Sequence, residues 1–235
     1  MSPFYFFGGG YMELKYIKAA YIRGFLIKNN ILDNHLVNND LLALSDDDLL
    51  KLDELGLKHN LKLYYFKEKD ELPRVKAVLG FLKNIYPSSL LDVGSGRGVF
   101  LFPFIRDFDY CNILSIDILD YRVGLMEYIH IGGINNLNSC ICNICNTNIE
   151  DNSYDVVTML EVLEHIPDYK EAIRNALRIA KNYIIVTVPS KKDDNPEHIH
   201  LLTKDILSSV FNEYGVSNLK FSGVNGHLVL IAKKG

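Results

Sequence analysis

The sequence predicts an α/β fold: a doubly wound, mainly parallel sheet that ends in an antiparallel hairpin, preceded by a small helical extension. Three observations carry this. Residues 90–93 are a short apolar run that leads directly into glycines at 94, 96 and 98, where a backbone without Cβ atoms can bend sharply and let a ligand come close. From residue 74 to residue 188, short apolar runs alternate with helical patterns, as stacked βα units require. Near the C-terminus Asn225-Gly226 separates two further apolar runs, the signal of a tight hairpin.

Each element has its own local cause. Over 13–28, Leu14, Ile17, Tyr21 and Phe25 recur at helical spacing, so a helix is expected there. Ser45 with Asp48 forms a capping box, acids 46–48 suit the positive end of a helix dipole, and Gly56 is expected to stop that helix. Residues 74–85 place Val75, Val78, Leu79 and Leu82 on one side of a third helix, ended by Pro87. After the glycine loop a helix is expected at once, with Val99, Phe102, Phe104 and Ile105 facing the sheet. A strand over 112–117, a helix over 118–131 stopped by Gly132-Gly133, and a strand over 137–141 follow. The fourth strand runs to Leu160. Asp168 with Glu171 caps the next helix, whose apolar face is Ala172, Ile173, Ala176 and Leu177. The strand at 183–188 is apolar on both sides, as a central parallel strand must be. Thr203 caps a helix through Tyr214, and strands at 216–221 and 227–232 close the chain.

At 235 residues the chain is long enough for one α/β domain and a smaller addition. The division expected is a helical extension over 1–70 and a sheet domain over 71–235. A net charge of −4 gives no global reason for a nucleic-acid partner, although a local contact with one RNA end remains open. The acidic stretch 33–54 and the basic stretch 51–83 read as two solvated faces of a helical cap. No apolar run reaches the roughly 20 residues needed to span a bilayer, so a soluble protein without a membrane partner is expected. The four cysteines show no disulfide framework, which points to a reducing, cytoplasmic setting. Cys142-x-x-Cys145 lacks a second pair to complete four zinc ligands and reads as packing. The Phe4-Tyr5-Phe6-Phe7 patch has no basic region before it and makes a poor secretory signal; an added leader or a misassigned start ahead of Met12 is expected.

The glycine loop selects its ligand by detail. A dinucleotide loop needs a glycine where Val99 stands. Asp92, beside the loop, would repel a pyrophosphate but suits a ligand that carries an amino group and a sulfonium. Asp92 followed by Gly94-x-Gly96-x-Gly98 resembles the first motif of the class I S-adenosylmethionine-dependent methyltransferases. The resemblance covers about the last two thirds of the chain. It implies a Rossmann-like, doubly wound, seven-stranded sheet, S-adenosylmethionine as cofactor, and Asp92, Gly94, Ser95, Gly96 and Gly98 as its cradle. Asp117 lies 19 residues beyond Gly98, where a second strand delivers a carboxylate that accepts from both ribose hydroxyls. By the same resemblance the turn after the third strand holds the adenine. Here Asn143 stands where an acid is usual, accepting through its carbonyl oxygen, with Ile144 on the adenine face.

The chemistry is expected in Glu161-Val162-Leu163-Glu164-His165-Ile166-Pro167-Asp168, which follows the fourth strand directly, because the carboxyl ends of central strands form the crevice of such sheets. The polar loop 190–202 leaves one strand away and carries His198 and His200; loops of this length are usually lids or sites. Glu161, Glu164, His165 and one of His198 or His200 can converge on a divalent ion. In an extended loop His198 and His200 would point the same way. The plain alternative is that Glu164 and His165 cap the turn while Glu161 meets the cofactor through water. Glu-x-x-Glu-His with a later histidine resembles the metal site of the 2′-O-methyltransferases that act on the 3′ ends of small RNAs. It also looks like that of small-molecule O-methyltransferases of the quinone-precursor kind. Glu161, His165, His198 and His200 are the candidate catalytic groups, either as bases or as holders of a metal that lowers the pKa of an acceptor hydroxyl. The expectation is an O-methyltransferase with a small-molecule substrate. An RNA-end 2′-O-methyltransferase is the alternative, and a non-catalytic S-adenosylmethionine-binding module the third reading.

Overall fold

The computed structural model describes residues 12–31, 34–66, 71–192 and 194–235; the aromatic patch at 4–7 and the start of the acidic stretch at Asp33 lie outside the described residues. Seven strands form one sheet: β1 (Ser89–Val93), β2 (Asn112–Asp117), β3 (Leu137–Ile141), β4 (Tyr154–Leu160), β5 (Ala180–Pro189), β6 (Leu219–Val224) and β7 (His227–Lys233). Their order is β3-β2-β1-β4-β5-β7-β6. The first five run parallel, and β7 is antiparallel to both β5 and β6. The helices are α1 (Leu14–Lys28), α2 (Asn34–Asn38), α3 (Asp46–Lys58), α4 (Pro73–Ile85), α5 (Leu101–Asp107), α6 (Asp120–Ile131), α7 (Tyr169–Ile179) and α8 (Lys204–Glu213).

Neighbouring strand residues point to opposite faces, and each face has its own apolar core. Leu90, Ile113, Val156 and Ile185 pack with α1, α4, α5 and α6. Leu91, Ile116, Val157 and Ile184 pack with α7 and α8. The N-terminal helices share the first of these cores. A Cβ on Gly24 of α1 would fall 1.8 Å from the Tyr128 carbonyl oxygen of α6, and one on Gly132 would fall 1.8 Å from that of Ala20. The two helices therefore touch backbone to backbone, and α1 buries Ile17, Ile22 and Leu26 completely or nearly so.

Local signals and structure agree at the caps. The Asp48 N–H donates to Ser45 Oγ at 3.2 Å and the Ser45 N–H to Asp48 Oδ2 at 3.1 Å, a capping box. Gly56, however, does not end α3, which continues to Lys58. A Cβ at Gly56 would stand 3.2 Å from the Ile22 and Leu63 side chains, so the glycine serves close packing. Val99 does not face the sheet: the chain stays in the loop to Phe100, α5 begins at Leu101, and Val99 is 52 % exposed. Val216 is not in a strand. Its N–H bonds the Phe211 carbonyl while that of Gly215, at φ 83°, bonds Asn212, which is how a glycine closes a helix C-terminus. The hairpin turns on Asn225 (φ 42°) and Gly226 (φ 83°), both left-handed as a two-residue turn of this hand requires.

Candidate active site

The carboxyl ends of β1, β2 and β4 open into one cavity of about 830 Å³. Gly94 and Gly96 line it with φ of 67° and 58°. A Cβ on Gly96 would meet nothing nearer than the Gly94 carbonyl oxygen at 3.8 Å and would stand in the cavity itself. Gly98 does not line the cavity. Its positive φ of 78° and the Phe102 ring, 2.3 Å from where its Cβ would be, make it a packing glycine. Ser95 Oγ pairs with Ser115 Oγ at 2.7 Å, tying the loop to β2.

Three polar stations follow the strand order. Asp92, at the end of β1, is 3 % exposed and accepts from Thr158 Oγ1 at 2.6 Å. Burial pushes its carboxyl up to about 6; hydrogen bonds from Ser95 and Thr158 oppose this, and the charge of Asp117 adds to it. Asp117, at the end of β2, accepts from the Leu119 N–H at 3.0 Å, and Arg122 Nη1 lies 3.5 Å from its other oxygen. Past β3, Ile144 lines the cavity and is buried. Asn143 Oδ1 accepts from the Cys145 N–H at 2.9 Å, so the oxygen expected at an adenine amino group also holds the turn. A glycine bend, two buried carboxylates and an apolar wall meet in one cavity, and this donor set fits the cationic and hydroxyl groups of S-adenosylmethionine.

The other end of the cavity differs from the expectation. Glu161 adopts φ 57°, a left-handed conformation that costs a non-glycine residue about 1–3 kcal/mol. It turns its carboxylate toward Thr187 Oγ1 (2.8 Å), His227 Nε2 (3.1 Å) and Arg74 Nε (3.7 Å), and so away from Glu164. Among the described residues the group that could hold a metal is Glu164, His165 and His198, whose ligand atoms lie within 4.8 Å of one another. Glu161 and His200 are not in it. His200 rests on Tyr169, ring centroids 4.9 Å apart, with Nε2 3.3 Å from the Pro167 carbonyl. The reason is local: the Ile199 and His200 N–H groups both bond the Glu164 carbonyl at 3.0 and 3.3 Å, so the loop is folded onto the turn and its alternate side chains diverge.

Glu164 is completely buried. His165 Nδ1 lies 2.9 Å from the Glu197 carbonyl oxygen, which can only accept, so Nδ1 carries a proton there and Nε2 is the nitrogen that can offer a lone pair. One carboxylate and two imidazoles suit manganese, iron or zinc better than magnesium. Sequence reasoning missed Arg74 and His227. Nothing in a helix pattern marks which residue of its first turn faces a distant strand end, and His227 reaches Glu161 only because β7 lies beside β5.

No helix among the described residues is long and apolar enough to cross a membrane, and all four cysteines are free. Residues 59–220 match a family model described as a methyltransferase domain. A S-adenosylmethionine-dependent methyltransferase from Aquifex aeolicus is 18 % identical, with a TM-score of 0.55 over 69 % of this chain and 90 % of that one. A putative O-methyltransferase from Nostoc punctiforme is 14 % identical, with a TM-score of 0.58 over 94 % of this chain and 72 % of that one. The methyltransferase domain of bacterial CtHen1-CN is 14 % identical, with a TM-score of 0.55 over 69 % of this chain and 98 % of that one. At these identities the likeness is one of fold. No curated protein matches the chain. With a domain match over residues 59–220, more than half of its length, the chain belongs to the methyltransferase-domain family and is a S-adenosylmethionine-dependent methyltransferase.

Proposed function

We propose that the protein transfers the methyl group of S-adenosylmethionine to an oxygen of a small molecule. The observation that carries this is His165, which lines the same cavity as the glycine loop and keeps its Nδ1 proton on the Glu197 carbonyl at 2.9 Å. An oxygen nucleophile must lose a proton as it attacks, and a histidine whose Nδ1–H is held by a carbonyl is suited to take it at Nε2. The cofactor is chemically activated, so the remaining work of the protein is to position the acceptor and exclude water. The cavity lies in the upper part of the range of about 300–1,000 Å³ usual for ligand sites, which suits a cofactor together with a modest acceptor. The N-terminal helical segment, carried on α6, is proposed to cover the substrate.

Glu164, His165 and His198 are the residues that would hold a divalent ion, and such an ion would supply a Lewis acid for an acceptor hydroxyl. This trio also favours a second reading, transfer to the terminal ribose of an RNA, whose vicinal hydroxyls form a bidentate ligand. Incubation with labelled S-adenosylmethionine and two acceptor pools, small catechols and short single-stranded RNAs, tests the choice. Label in the small phenols supports the main reading, label in RNA replaces it with the second, and cofactor binding without transfer to any acceptor supports a non-catalytic module.

A further inference from the structure

We infer that Arg97 selects the acceptor: its guanidinium holds a carboxylate carried by an aromatic acceptor, an inference that rests on the small-molecule reading above. Three arginines line the cavity. Two of them already face acids, with Arg122 Nη1 3.5 Å from Asp117 Oδ2 and Arg74 Nε 3.7 Å from Glu161 Oε1. Arg97 has no carboxylate oxygen within 4.0 Å among the described residues. It is the lining cation whose charge the protein leaves uncompensated.

The chain also holds this side chain in place. Arg97 stands at the tip of a tight turn, in which the Gly98 N–H bonds the Ser95 carbonyl at 3.0 Å. Two contacts from the N-terminal extension, both made by the single helical turn Leu63–Phe66, clamp it. Phe66 stacks on Phe102, ring centroids 4.8 Å apart at 14°, and Phe102 in turn fills the place of a Cβ on Gly98. The Arg97 guanidinium lies over the Tyr65 ring, 5.8 Å from its centre. A guanidinium held over an aromatic face keeps the N–H donors around its edge free, and their fork matches the two oxygens of a carboxylate.

The surroundings say which ligand meets it. With the cofactor proposed against Asp92 and Asp117, both buried, the exposed rim of the cavity is left to the acceptor. Arg97 is exposed there. Val99 and Tyr121 line the same cavity although they are 52 % and 63 % exposed, and apolar faces left open beside a cavity are places for a ligand's ring. A ring against Val99 and Tyr121 with its acid on Arg97 satisfies both features of the rim.

The test is turnover of S-adenosylmethionine by the full chain with three catechols matched except in charge: 3,4-dihydroxyphenylacetate, 4-methylcatechol and dopamine. The parent is expected to favour the acid over the neutral catechol roughly 10–100-fold in kcat/KM, mainly through KM, the size of one charged hydrogen-bonded contact. Arg97→Ala should remove most of that preference, Arg97→Lys should keep part of it, and Arg97→Glu should favour the amine over the acid. Equal use of the acid and the neutral catechol by the parent overturns the inference, as does an unchanged preference in Arg97→Ala. Calorimetry with S-adenosylhomocysteine alone guards against a cofactor role: a loss of affinity in Arg97→Ala as large as its loss of turnover overturns the inference too. Transfer to none of the three catechols overturns the small-molecule reading and this inference with it, so the two failures are distinct.

Discussion

Gly24 of α1 lies so close to Tyr128 of α6 that a Cβ on the glycine would come within 1.8 Å of the Tyr128 carbonyl oxygen. No side chain fits there without moving a helix. Because α6 begins three residues after Asp117, the N-terminal helix supports the element that follows this cavity-lining carboxylate. Gly24→Ala should destabilise the protein by about 3 kcal/mol or more, at or above the usual range for overpacking because backbone rather than side chain must give way. That corresponds to a fall in melting midpoint of roughly 6–12 °C for a chain of this size. A thermal melt within a degree of the parent would show that the two helices separate freely.

Asp92 is expected to couple cofactor binding to pH. Its carboxyl titrates near 6 in the folded protein against an ordinary 3.8, so between those values the folded state holds a proton that the unfolded chain has released. Its contribution therefore favours folding below about pH 4 and is lost as pH rises toward 6, leaving a penalty on the order of 2–3 kcal/mol at neutral pH without ligand. Asp92→Asn should raise the melting midpoint at pH 7.5 by several degrees while sharply weakening S-adenosylmethionine. In the parent, affinity should fall up to tenfold per unit as pH drops below about 6, with proton release on binding near that pH. Calorimetry in two buffers of different ionisation enthalpy measures both; a pH-independent affinity from 5 to 8 would contradict the role given to Asp92.

Asp117 should matter for binding more than for folding. Removing its carboxylate in Asp117→Ala frees Arg122 and the Leu119 N–H, both of which line the cavity, where water can replace it. Cofactor affinity is expected to drop about 10–100-fold, as for loss of charged hydrogen bonds, with the circular dichroism spectrum unchanged. Equal cofactor affinity in the variant would remove the ribose assignment.

Metal analysis of the protein as isolated separates the three clustered ligands from the two that stand apart. A Glu164→Ala, His165→Ala double variant should lose any bound divalent ion, whereas His200→Ala should keep it. If His200→Ala alone abolishes metal, the arrangement of the loop on the 163–165 turn is wrong; if the parent never carries or takes up manganese, iron or zinc, the metal role of the trio falls.

Much of the glycine-loop end of the cavity was legible because its causes are local. The bend at 94 and 96, the carboxylate that ends β2, the Ser45 capping box and the Asn225-Gly226 turn each follow from residues a few positions apart. The chemical half was less so. Glu-x-x-Glu-His reads as a set of converging ligands, but the left-handed backbone at Glu161 turns that side chain across the sheet toward β5 and β7. The choice of His198 over His200 depends on two loop N–H groups finding one carbonyl, at Glu164, which no pattern along the chain reports.

By itself the sequence determined the βα order, the glycine bend at 94 and 96, the acids at the ends of β1 and β2, and the terminal hairpin, since propensity, periodicity and turn chemistry act over short stretches. Only the tertiary structure decided that Gly98 packs on Phe102 instead of lining the cavity. It alone brought Arg74 and His227 to Glu161 and grouped Glu164 with His165 and His198. Those relations join residues far apart in the chain, and they arise where strand ends, helix starts and a folded loop compete for the same few donors and acceptors.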